Sequence, residues 1–120
     1  MSERISSFEE FWPYYLEQHA HPVCRKLHFV GTSLALGSLA TGFVTGQLWM
    51  MAAAPIAGYG FAWVGHFFVE KNRPATFTYP KWSLEADFVM WWKMLNGTLD
   101  AELERFGITW PLPASRLHAV

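Results

Sequence analysis

From Leu27 to Val69 the chain carries no Asp, Glu, Lys or Arg, an uncharged run of 43 residues. A helix needs about 20 apolar residues to cross the hydrocarbon of a bilayer, so this run is long enough for two crossings. Gly46-Gln47 sits near its centre and divides it into expected spans over residues 29–45 and 48–68. The competing reading is a helical hairpin buried in a soluble bundle. A chain of 120 residues has too little left to cover two helices that are apolar all round. The expected fold class is therefore all-α, an integral membrane hairpin with flanking amphipathic or interfacial helices.

Composition supports that expectation. Hydrophobic residues make up 52% of the chain and charged residues 16%, against about 25% charged in ordinary soluble domains. Seven tryptophans suit a boundary between apolar and wet regions, where the indole ring settles. A net charge of −1 leaves no electrostatic footprint for nucleic acid. The single cysteine, Cys24, excludes an internal disulfide and any cysteine-based zinc module. Residues 1–10 hold acids and no apolar stretch, so insertion is expected from the internal run, not from a secretory signal.

Orientation follows from the flanks. Arg25 and Lys26 precede the run, and Lys71, Arg73 and Lys81 follow it, while the connecting turn is uncharged. A hairpin returns to its starting side, so both basic flanks, both termini and any site between them are expected at the cytoplasmic face.

Residues 7–28 are expected to form amphipathic helices, with Ser7 and Glu10 spaced as a capping box. Phe8, Trp12, Tyr15 and His19 follow one helical stripe. Pro13 could kink this helix, and His21-Pro22 marks a break, with Pro22 suited to a first turn. Residues 72–82 read as a loop. Ser83 is expected to cap an interfacial helix over residues 83–105, with Leu84, Phe88, Trp91 and Leu95 as its apolar seam. Residues 106–120 are expected to be irregular. The whole chain reads as one domain.

Helices in lipid associate through close contact of small residues. Ser38, Gly42 and Gly46 form one such ridge, and Ala54, Gly58 and Ala62 the other. The same ridges could serve a homo-oligomer. The second ridge continues by fours into His66 and Glu70, and His28 lies on the seam of the first. From His28 to the turn, and from Leu48 to His66, is 18 residues each, roughly 27 Å of helix. An antiparallel pair thus places His28 and His66 at one level near the cytoplasmic surface.

His19 and His21 could join them, and imidazoles with a carboxylate suit non-haem iron(II). Glu70 could be a ligand or orient the His66 ring, and Asp87 is a further carboxylate candidate. Each histidine also has a structural reading: His19 as a hydrogen-bonded core residue, His21 as a cap, His118 as a tail residue without a role. Spacing alone leaves the two readings open. The chain has no GxSxG elbow, no phosphate-binding glycine loop and no HExxH motif.

Two blocks carry a resemblance. The first is Phe11-Trp12-Pro13-x-Tyr15-Leu16-x-x-His19, followed by Pro22-x-x-Arg25-x-Leu27-His28-x-x-Gly31-Thr32. The second is Gly65-His66-Phe67-Phe68-x-Glu70-x-Asn72-x-Pro74-Ala75-Thr76-Phe77, then Pro80-x-x-Ser83-Leu84-x-x-Asp87-Phe88-x-Met90. Together they resemble a small membrane family typified by the fungal 2-hydroxy-fatty-acid dioxygenase of phytosphingosine breakdown. The resemblance implies an iron(II)-dependent alpha-oxidation, in which dioxygen is used and a 2-hydroxy fatty acid becomes a fatty acid one carbon shorter.

By that resemblance His19, His28 and His66 are expected to ligate iron, and Glu70 and Asp87 to act in catalysis. Asn72 matches a further motif position and is expected with Arg25 and Arg73 at the substrate, where guanidinium suits a carboxylate. The short chain resembles a bacterial-type member, implying the inner membrane. An iron centre at the bilayer edge could reach a substrate whose tail stays in lipid. The rival is a non-enzymatic membrane module (lipid-binding, transport or assembly) whose histidines only cross-link helices.

Overall fold

The protein is described by a computed structural model, here over residues 4–111. Among these residues there are helices and no strands: α1 Phe8–Gln18, α2 Pro22–Thr45, α3 Leu48–Val64, α4 Pro80–Leu95 and α5 Leu99–Arg105. His118 lies outside the described residues.

The hairpin dominates. α2 ends at Thr45 because Gly46 takes a left-handed conformation, φ 73°, which a residue with a Cβ rarely adopts. Gln47 then leads directly into α3. Both arms are long and apolar enough to cross a membrane, and little of either is covered by the rest of the protein. Phe43, Val44, Leu48 and Ile56 are each at least three-quarters exposed. An apolar surface of that extent suits a lipid environment.

Small residues set how closely the arms approach. A Cβ added at Gly31 would stand 2.8 Å from the Phe61 Cβ and 3.2 Å from the Ala57 and Gly58 carbonyl oxygens. Gly42 is as tight against Met51, and Gly58 faces Ala35. The Ser38 hydroxyl donates across the pair to the Met50 carbonyl. Gly42 and Gly58 therefore serve the contact within the hairpin, whereas Gly46 of the first ridge is exposed.

α3 does not stop at Val64 but continues as a π-helical turn, Gly65–Glu70. Lys71 ends it at φ 59°, a left-handed residue, and the Asn72 N–H donates to the His66 carbonyl at 2.9 Å. Such wide turns insert one extra residue and re-aim the side chains that follow. At this level a Cβ on Gly65 would lie 2.9 Å from the Cys24 sulfur, so α2 and the π-turn are pressed together.

Below the hairpin, α1, α4 and α5 build a second core from Phe11, Trp12, Tyr15, Leu16, Ala86, Met90, Leu99 and Leu103. Ser7 caps α1 by accepting from the Glu10 N–H, and Pro13 is accommodated within the helix. The Trp12 indole N–H donates to Glu102 at 3.0 Å, tying α1 to α5.

Four expectations are corrected here. Ser83 does not cap α4: the helix begins at Pro80, whose fixed φ and missing N–H suit a first turn. The Ser83 hydroxyl instead meets Thr76 at 3.1 Å. The seam is also rotated. Ser83, Ala86 and Met90 face the core because small residues allow α1 close, while Leu84, Phe88 and Leu95 remain exposed. Finally, residues 72–82 are only partly loop, with a short 3₁₀ turn at Ala75–Phe77, and the helix expected to 105 breaks at Asn96–Thr98.

Candidate metal centre

Three imidazoles converge where α1, α2 and the π-turn meet. His19 Nε2 stands 3.1 Å from His28 Nε2 and 3.0 Å from His66 Nε2. All three rings are buried. Neighbouring helices deliver them from positions far apart in sequence: His19 from the C-terminus of α1, His28 from the second turn of α2, His66 from the π-turn.

Their tautomers follow from the other ring nitrogen. His19 Nδ1 lies 2.7 Å from the Tyr15 carbonyl oxygen and His28 Nδ1 lies 2.8 Å from the Cys24 carbonyl oxygen. A carbonyl can only accept, so both Nδ1 atoms carry the proton. His66 Nδ1 lies 2.8 Å from Asn72 Oδ1. The Asn72 amide is itself oriented, since its Nδ2 donates to the Gln18 carbonyl at 3.0 Å and to Gln18 Oε1 at 3.2 Å. With every Nδ1 donating outward, three Nε2 lone pairs point at one another.

Lone pairs that close repel unless a cation lies between them. Two imidazoles bound at right angles to one ion, at about 2.1 Å each, stand about 3.0 Å apart, which matches both short edges. Outward hydrogen bonds from Nδ1 to carbonyl acceptors are also the usual support of metal-bound histidine. The donor set therefore fits a metal ion, and the three residues could hold one. Among the described residues no carboxylate belongs to this group.

Around the cluster, Tyr15 stacks on His19 with ring centroids 3.9 Å apart, and its hydroxyl donates to Asp87. Burial holds the His19 imidazole well below its usual range, and the His28 and His66 rings add to this. The Tyr15 phenol is pushed well above its usual range, first by burial and then by Asp87. Burial raises the Asp87 carboxyl to about 7, against the opposing pull of the Tyr15 bond.

Asp87 and His28 both line the head of a cavity of about 260 Å³ that runs down between α2 and α3. The remaining expected site residues are elsewhere. Glu70 accepts from the His21 backbone N–H at 2.7 Å and so fastens the start of α2; it does not orient His66, a task that Asn72 performs. Asn72 itself has both ends of its amide engaged, beneath the cluster. Arg25 donates to the His19 and Ala20 carbonyls at 2.9 and 2.8 Å. Arg73 is exposed, its guanidinium 5.2 Å from the centre of the Phe77 ring. His21 caps α2 by accepting from the Val23 N–H, apart from the cluster.

Gln18 was not singled out from the sequence, nor were the carbonyls of Tyr15 and Cys24. The only available signal was spacing, since His19 and His28 each sit one turn after the residue whose carbonyl they meet.

Neither a curated protein nor a solved structure matches the chain. A family match does exist: residues 5–99 fit the family described as "2-hydroxy-palmitic acid dioxygenase Mpo1-like". That span contains the hairpin, all three converging histidines, Asn72 and Asp87. The chain belongs to this Mpo1-like family.

Proposed function

We propose that the protein is an iron(II)-dependent dioxygenase that converts a 2-hydroxy fatty acid to the fatty acid one carbon shorter. The observation that supports this most is the convergence of three Nε2 atoms whose Nδ1 partners all draw the proton outward. The family description supplies the reaction class. Imidazole suits iron, and a site with three protein ligands leaves positions for other groups. Iron(II) bound there would supply a place to hold dioxygen beside the hydroxyl and carboxylate of the substrate.

The chain's own residues divide the remaining work. His19, His28 and His66 hold the ion. Asn72, steadied by Gln18, keeps His66 in the tautomer that binds. Asp87, held by Tyr15 and lining the cavity next to His28, is the acceptor we assign to the substrate hydroxyl proton. Glu70 and Arg25 act one layer out, fixing the α1–α2 junction that carries His19 and His28.

Arg25 also lines a surface pocket with Lys26, Lys93 and Asp100, and we assign Arg25 and exposed Arg73 to the first contact with the fatty acid carboxylate, which guanidinium suits. In our reading the basic residues that flank the hairpin, Arg25, Lys26, Lys71 and Arg73, face the cytoplasm and the hairpin lies in a bacterial inner membrane.

The test is turnover by detergent-purified protein of 2-hydroxypalmitic acid, with product chain length read by mass spectrometry. Iron-loaded protein is expected to release the acid one carbon shorter. Undiminished turnover after stringent iron removal, or by a His66→Ala variant, would overturn the proposal.

A further inference from the structure

We infer that the cavity running from His28 down the hairpin receives the alkyl chain of the substrate, and that Leu39 sets the length it accepts. This rests on the reading of the histidine cluster as the reaction centre. The cavity begins at that cluster, since His28 and Asp87 line its head, and its far end is lined by Leu39 on α2 and Ala54 on α3. From His28 to Leu39 is eleven residues, about 16 Å of helix.

The space exists because the facing side chains are small. Ala35, Ala54, Gly58 and Ala62 line it, where larger residues would close the gap between the arms. Below Asp87 the lining holds no charged side chain. A polar ligand seated there would lose its hydration with few partners in return, and a water chain would meet the same lack. An alkyl chain loses nothing.

The lining also reaches the bilayer. Leu84 and Phe88 on α4 and Leu39 on α2 each line the cavity while more than two-fifths exposed, so its wall is continuous with the lipid-facing surface. A fatty acid therefore enters sideways from lipid, with its carboxyl end at the histidines. Leu39 stands at the floor and is partly exposed, so its side chain can be changed without overfilling a sealed core.

The test joins labelling to chain-length preference. A 2-hydroxy fatty acid with a diazirine at its terminal carbon is photolysed with the metal-free protein in phosphatidylcholine nanodiscs, and the labelled peptides are mapped. Label is expected around Leu39 and Ala54, displaced by unlabelled 2-hydroxypalmitic acid. Label spread over the outer faces of α2 and α3, or undisplaced, overturns the inference and assigns the groove to bilayer lipid.

In parallel, Leu39→Trp is expected to lower the ratio of kcat/KM for long over short 2-hydroxy acids by about tenfold, and Leu39→Ala to raise it. Unchanged ratios in both variants overturn the role of Leu39. Labelling does not depend on turnover, so groove labelling of the metal-free protein together with no turnover by the iron-loaded protein keeps the groove and rejects the reaction. Turnover with labelling elsewhere does the reverse.

Discussion

Asn72 accepts the Nδ1 proton of His66 at 2.8 Å while its own amide nitrogen donates to two oxygens of Gln18. The asparagine cannot turn over without losing all three contacts, so His66 presents an unprotonated Nε2 to the cluster. Removing this support is expected to weaken metal affinity by about tenfold to hundredfold. Metal titration of Asn72→Ala checks it. Asn72→Asp, which keeps an acceptor at Oδ1, is expected to lose less.

Each histidine of the cluster contributes one nitrogen, so no single one is spare. His19→Ala, His28→Ala and His66→Ala are each expected to reduce bound iron from one ion per chain to a small fraction, read by elemental analysis of purified protein. Replacement of His21, which caps α2 outside the cluster, is expected to leave the iron content intact. Equal loss on changing His21 would argue against the assignment of ligands.

Tyr15 reaches two members of the site, stacking on His19 and donating to Asp87. Tyr15→Phe keeps the ring and deletes the donor. Leaving a buried acceptor without its partner costs about 1–3 kcal/mol, so a lower thermal midpoint is expected. Turnover is expected to fall more than iron content does, since the stacked ring remains.

The buried carboxyl of Asp87 titrates near 7, whereas an unfolded aspartate titrates near about 3.9. Between those values the folded chain holds a proton that the unfolded chain releases. Stability is then highest at the acid end of that window and declines as pH rises through it. Thermal unfolding of the metal-free protein across this range is expected to show the decline. Asp87→Asn is expected to flatten it.

The hairpin depends on close approach at Gly31, where a Cβ would press on the Phe61 Cβ and two carbonyl oxygens. Gly31→Val is expected to lower the thermal midpoint sharply in detergent. Gly37, where an added Cβ meets nothing within 4 Å, serves as the contrast: Gly37→Ala is expected to change little.

The hairpin was legible because its cause is local. An uncharged run with a glycine near its centre dictates two arms and a reversal, and equal spacing from the turn puts His28 and His66 at one depth. The rotation of α4 was not legible. Its large apolar residues suggested an inward seam, but packing against α1 favoured Ala86 and contact with Thr76 favoured Ser83, a preference that only the tertiary arrangement reveals.

At the site, residue types announced the histidines, whereas the acceptors on two of them are backbone carbonyls with no signature of their own. Nor does any residue pattern announce the π-turn. Without it the Glu70 side chain seemed the natural partner for His66, when the chain in fact doubles back to supply Asn72.

His19 precedes both arms of the hairpin in the chain, and His66 is reached only at the end of the second. During synthesis the earliest ring must therefore wait until the second arm has been made and α1 has folded back beneath the hairpin. Any ion held by the three rings would consequently be taken up late in biogenesis, and a nascent chain stalled after its first arm would have no centre to fill.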